Sequence, residues 1–132
     1  MAKKVVIVTD TTACIPQEQV ERYGIKLAPL NIIFGDRVYR DGIDISPNEF
    51  YALLRQTKKL PTTSGSLPGV FLETYRKASQ EAASILCITI SSKFSGMFNS
   101  ARIAMEMAKK TLPNIDIEVL DCSTAAAGQG LV

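Results

Sequence analysis

The chain has 132 residues, 46% of them apolar and 21% charged, with 15 Lys plus Arg against 13 Asp plus Glu and a formal net charge of +2. That composition fits one ordinary globular domain with a buried core, and the charge balance gives no electrostatic case for a nucleic-acid or anionic-membrane partner. Histidine is absent from the sequence, which excludes a Ser-His-Asp triad, a Cys-His pair and any histidine metal site built from this chain alone.

Met1-Ala2-Lys3-Lys4 has the charge of a signal-peptide n-region, but the apolar run behind it stops at Thr9-Asp10, too early for an h-region. No stretch approaches the ~18 apolar residues of a membrane span. Val5 to Val8 instead has the pattern of a strand buried on both faces. Pro16 opens a short helix through Tyr23, which Gly24 closes. Ile25 to Phe34 is a second strand candidate. Gly35-Asp36 and Arg37 to Arg40 then suggest a small hairpin at a sheet edge. Ser46-Pro47-Asn48-Glu49 is a capping box with proline at the first helical position, predicting a helix to about Thr57. Lys58 to Leu67 is expected to be a loop.

Pro68 starts another helix, with Val70, Phe71, Thr74, Tyr75 and Ala78 on one face. Ser84 to Ile90 is the next buried strand. Ser95-Gly96 leads into the longest helix, whose expected core stripe is Phe98, Ala101, Met105, Ala108 and Leu112, with Met97 off it. Ile115 to Leu120 is a further strand. Strands alternating with helices predict an α/β fold, a parallel-rich sheet with helices on both faces. Ala125 to Val132 has the look of a helix just starting, so the single domain 1–132 is expected to be truncated before further structure. Cys14, Cys87 and Cys122 are scattered without CxxC spacing. They form neither a disulfide framework nor a zinc site, and a reducing cytoplasm is the expected location.

In an open α/β sheet, ligands sit outside the carboxyl ends of the strands. Here those ends carry Thr9-Asp10-Thr11-Thr12, Ser91-Ser92-Lys93-Phe94-Ser95-Gly96 and Asp121-Cys122-Ser123-Thr124, and Thr62-Thr63-Ser64 precedes a helix. Hydroxyls and free amides at a helix N-terminus suit an oxyanion. Ser95-Gly96 is the best placed, since glycine admits a close approach to the backbone. Each cluster taken alone also fits an ordinary helix cap. Asp10 is expected to brace loops rather than act as a base, and Lys93 to be a solvated charge. There is no GxGxxG after the first strand and no GxxxxGK[ST], which argues against a dinucleotide or P-loop site.

Val8-Thr9-Asp10-Thr11-Thr12-Ala13, Pro61-Thr62-Thr63-Ser64 with Pro68-Gly69, Ile90-Ser91-Ser92 with Ser95-Gly96, and Asp121-Cys122-Ser123-Thr124 with Gly128-Gln129-Gly130 resemble, in order, four signatures of the DegV family. The departures are Gly65, where the family often has glutamine, Leu67 before Pro68, Met97 for a common threonine, and Cys122 for a common serine or threonine.

The resemblance implies the N-terminal domain of a two-domain DegV-like lipid carrier that is not an enzyme and uses no cofactor or metal. Its ligand would be a long-chain fatty acid, which some members present to a fatty-acid kinase. It further implies that Thr63 and Ser95 hold the carboxylate, with Thr62, Ser64 and Gly96 as second choices. Phe94, Met97 and Phe98 are placed to line the mouth of the tail site, Met97 as an adaptable side chain beside an acyl chain. A small-molecule phosphotransferase and a ligand-free interaction domain are the alternatives.

Overall fold

The computed structural model describes residues 5–131; Met1 to Lys4 and Val132, the last residue of the expected terminal helix, lie outside the described residues. The elements are β1 (Val6–Asp10), a 3-10 turn (Thr11–Ala13), α1 (Gln17–Tyr23), β2 (Lys26–Ala28), β3 (Asn31–Phe34), β4 (Arg37–Arg40), α2 (Pro47–Gln56), β5 (Thr62–Ser64), α3 (Pro68–Ser79), β6 (Ser84–Thr89), α4 (Met97–Thr111), β7 (Asp116–Asp121) and α5 (Ala127–Gly130).

The β-branched runs form a four-stranded parallel sheet in the order β2-β1-β6-β7. The helices α3 and α4 pack against each other and onto one face of it. Right-handed crossover puts α1, whose connection runs along the sheet in the opposite direction, on the other face. Val8, Thr9 and Asp10 of β1 are accordingly all buried. Cover thins at β7, where Asp116, Glu118 and Leu120 are exposed and alternate with more buried neighbours. The expected α/β architecture is present, and no helix among the described residues is long and apolar enough to cross a membrane.

The core lies between the sheet and the α3–α4 layer. Phe71 and Tyr75 of α3, Ile85 and Cys87 of β6, and Ala101, Ala104 and Ala108 of α4 meet there. Burying a side chain the size of Phe71 stabilises the fold by about 1.5–3 kcal/mol. The Tyr75 hydroxyl donates to the Ala101 carbonyl at 3.0 Å, so the phenol brings no unpaired polar atom into the core. Burial drives the phenol and the neighbouring Cys87 thiol toward their neutral forms, and the thiol is pushed up to about 12.

Three expectations need correction. The segment Ile25 to Phe34 is two strands, because proline at 29 cannot continue a ladder. Before it, β2 joins the parallel sheet. After it, β3 joins a separate antiparallel sheet, β4-β3-β5. The stretch expected to be loop contains β5, which pairs with β3 through Thr62↔Ile33, Thr63↔Ile32 and Ser64↔Asn31. Finally, on α4 Ala101 and Ala108 are buried as expected and Met105 and Leu112 pack at the edge of the core, but the buried stripe also takes in Met97 and Ala104. Met97 lies on that stripe, and Phe98 is only half-buried with the Arg102 guanidinium over its ring.

The second sheet is an excursion between β2 and α3. Its hairpin turns at Gly35-Asp36, with Gly35 at φ +58°, a conformation that glycine adopts without a Cβ clash. The capped helix α2 packs on it through Phe34 and Phe50, whose rings are 5.6 Å apart. At the neck of the excursion the buried Ser66 hydroxyl donates to the Pro29 carbonyl.

Candidate functional site

Asp10 closes β1 and is fully buried. Its carboxylate accepts from the Ile90 amide at 2.8 Å and the Thr12 amide at 3.0 Å, and from the Thr12 hydroxyl. It therefore caps the 3-10 turn and ties it to the end of β6, the bracing role expected of it. Gln129 of α5, also buried, joins this network by bonds to Thr12 and Thr9. Beyond β6, the Asp121 carboxylate accepts from the Ser92 hydroxyl at 2.5 Å, the Ser92 amide at 3.2 Å and the Ser123 amide at 2.9 Å. Those donors, the Ser92 hydroxyl first, hold its pKa below the usual carboxylate value. The loop that leads to Ser95 is anchored at both ends.

A cavity of about 310 Å³ opens beside these braces, lined by Thr12, Leu30, Thr63, Ser64, Gly65, Ile90, Phe94, Ser95 and Gly96. It forms because β5, as an edge strand of the second sheet, runs past the start of α4. A Cβ placed on Gly65 would lie 3.6 Å from the Ser95 Oγ and 3.5 Å from the Met97 Sδ. The Ser66 amide donates to that sulfur at 3.1 Å. Two hydroxyl clusters some 30 positions apart in the chain thus share one wall.

The 15-residue α4 begins at this cavity with no side chain capping Gly96 and no acidic residue in its first turn. Its amides and dipole favour an anion there. The Ser95 Oγ accepts from the Met97 amide at 3.3 Å, which leaves the hydroxyl proton to donate. The Ser64 Oγ accepts from Asn31 Nδ2 at 3.5 Å and keeps its proton in the same way. No Lys or Arg is among the lining residues; Lys93 is exposed. The arrangement can hold a small anionic or polar head by neutral hydrogen-bond donors, with Leu30, Ile90 and Phe94 supplying apolar walls.

Of the residues singled out in the sequence, Thr63, Ser64, Ser95 and Gly96 are brought together here, and Phe94 joins them while remaining 72% exposed. Thr62 and Met97 are not in the lining. Met97 is fully buried behind it, in the core. Thr12, Leu30, Gly65 and Ile90 also line it without being candidate site residues, although Thr12 belongs to the hydroxyl cluster after the first strand. Ile90 carried a signal, since it ends a buried strand beside the hydroxyl loop. Leu30 carried none, because its position depends on the break at Pro29. A larger hollow of about 630 Å³ lies on the other side of the 3-10 turn, among Ile15, Leu27, Ile32, Phe50 and Tyr51.

The sequence profile of the DegV family, described as uncharacterised proteins, matches residues 4–132. A DegV domain-containing protein of Caldanaerobacter subterraneus is 38% identical over 130 residues, 98% of this chain and 45% of that protein. A stearic acid-binding protein of Eubacterium ventriosum superposes with a TM-score of 0.87 at 31% identity, over 95% of this chain and 43% of that one. DegV of Bacillus subtilis, described as a fatty acid binding protein, superposes with a TM-score of 0.87 at 32% identity, over 97% and 44%. The chain spans a little under half the length of the relatives it matches.

Proposed function

The chain belongs to the DegV family, and on that premise we propose that it is the head-group domain of a carrier for one long-chain fatty acid. The Thr63 and Ser95 hydroxyls donate to the carboxyl group, with Ser64, Gly96 and the first amides of α4 as further contacts and Thr62 at the rim. In a cell with a fatty-acid kinase, the bound acid is presented to that enzyme. The site binds and does not itself react. Residues 1–132 act as one domain of a longer protein, a reading supported by the length of the relatives.

One observation carries this reading. The cavity gathers hydroxyls from two distant segments at a helix N-terminus, against apolar walls and without a cationic side chain. Two or three neutral donors satisfy a single carboxyl group. A doubly charged phosphate would be left without the Arg or Lys that normally pairs it, so the arrangement favours the acid over a phosphorylated substrate. Native mass spectrometry of the gently purified protein tests this. A copurified series of long-chain acids, or their uptake on loading with palmitic acid, is the expected result. A nucleotide or sugar phosphate in their place, or no uptake at all, overturns it.

A further inference from the structure

We propose, resting on the fatty-acid reading above, that Thr12 meets the head group as a hydrogen-bond acceptor, so that the cavity takes the carboxyl group in its protonated form. The Ile88 carbonyl can only accept, so Thr9, whose Oγ1 lies 2.7 Å from it, must donate there. The Thr9 oxygen is then an acceptor for Gln129, which must present Nε2 to it at 3.2 Å. That fixes the amide the other way round at its far end, where Oε1 faces the Thr12 Oγ1 at 2.9 Å. The other neighbour of the Thr12 hydroxyl is the Asp10 carboxylate, again an acceptor. Thr12 has one proton and two buried acceptors competing for it. It has none to spare for the cavity it lines.

The cavity is therefore polarised. Ser95 and Ser64 have their protons to give, because their oxygens accept from the Met97 amide and from Asn31 Nδ2. Thr12 can offer only a lone pair. A carboxylate has acceptors alone and would oppose that lone pair, whereas a neutral carboxyl group has one acceptor and one donor and satisfies both sides. The charged and titratable groups around Thr12 act in two directions. The buried Asp10 carboxylate, from β1, disfavours a second negative charge. Cys14 of the same turn segment is exposed, Lys93 on the loop after β6 is exposed and solvated, and α5 contributes only the neutral Gln129. The α4 N-terminus favours negative charge at the donor side of the cavity. The proton is expected to sit on the carboxyl oxygen nearer Thr12.

Competition between palmitic acid and hexadecanesulfonate in the intact protein tests the idea, since the sulfonate has the same tail length and an always-ionised head with no proton to give. The acid is expected to bind more tightly by on the order of tenfold or more, with its affinity falling as pH rises while that of the sulfonate stays flat. Thr12→Val is expected to narrow the ratio and to lower the melting temperature, since buried Asp10 and Gln129 lose their shared donor, and Thr12→Ser to keep both. Equal affinities for the two heads in the wild-type protein, or a pH-independent acid affinity, overturn the proposal. Should Thr12→Val fail to fold, those two wild-type measurements decide. If palmitic acid does not bind at all, the fatty-acid reading fails first and this inference falls with it. If both ligands bind equally, the fatty-acid reading stands and only the protonated-acid inference is lost.

Discussion

Ser95 carries two duties that one substitution separates. Its oxygen accepts from the Met97 amide at 3.3 Å, so Ser95→Ala removes a bond at the helix start and is expected to cost about 1 kcal/mol of stability. In the proposed complex the same hydroxyl donates to the head group, and its loss is expected to cost about 1–3 kcal/mol of fatty-acid affinity. Binding competition set beside urea unfolding checks the order; a larger loss in stability than in affinity would make Ser95 a cap and nothing more. Met97 is the converse case. Its sequence position beside Ser95-Gly96 suggested an acyl contact, but it is fully buried on the core stripe and accepts a bond from Ser66. Met97→Thr leaves a cavity and adds a hydroxyl, so it is expected to lower stability by about 2–4 kcal/mol. The urea midpoint reads this directly, and an unchanged midpoint with an altered preference between C16:0 and C18:1 would return Met97 to the site. Ala101 and Ala108 are legible on the stripe from spacing alone, whereas its phase at Met97 and Ala104 is chosen by packing against α3.

Elements were legible where burial writes a pattern and illegible where it does not. Val6 to Asp10 and Ser84 to Thr89 are strands buried on both faces and show as β-branched runs. The Ser46 capping box with Pro47 gave α2 to within a residue, since local hydrogen bonds define that start. By contrast β5 is Thr-Thr-Ser, all exposed, and owes its extended form to pairing with β3. No alternation marks such a strand, so the wall of the site carrying Thr63 and Ser64 could be expected only as a loop. The Asp121 brace between β7 and the Ser95 loop was likewise invisible, and it makes a pH prediction. The folded-state pKa of Asp121 lies below its ordinary value, chiefly through the Ser92 hydroxyl. Its contribution to stability is therefore present above the ordinary carboxylate range and is lost as pH falls through the lower folded value. Carboxyl-carbon NMR titration should give a midpoint for Asp121 below 3.8. Amide exchange at Ser92 and Lys93 should quicken in the same acid window, and Asp121→Asn should show the faster exchange already at neutral pH.

At the scale of the molecule, the three thiols divide between surface and interior. Cys14 is exposed, whereas Cys87 and Cys122 are buried, and burial holds the Cys87 thiol in its unreactive neutral form. Alkylation of the native protein with iodoacetamide is expected to label Cys14 alone, and Cys87 only at the rate of global opening, since it sits in the central strand among Phe71, Tyr75 and Ala101. Labelling of Cys87 before the urea transition would show that the α3–α4 layer lifts from the sheet independently. The neck at Pro29 and Ser66 has a different kind of consequence. Because β2 and α3 both belong to the main layer and the Ser66 hydroxyl closes on the Pro29 carbonyl, everything between them is a cassette with its two ends already clipped together. A cassette of that kind can be lengthened, shortened or exchanged at little cost to the scaffold, since doubling a closed loop adds only about 0.6 kcal/mol of closure entropy. One lip of the cavity, Thr63 and Ser64, rides on the cassette, and the other, Ser95 and Gly96, is set in the scaffold. Swapping the cassette between relatives would transplant one jaw of the grip while the other stays in place, which makes it a natural unit for breeding new ligand preferences on an unchanged frame.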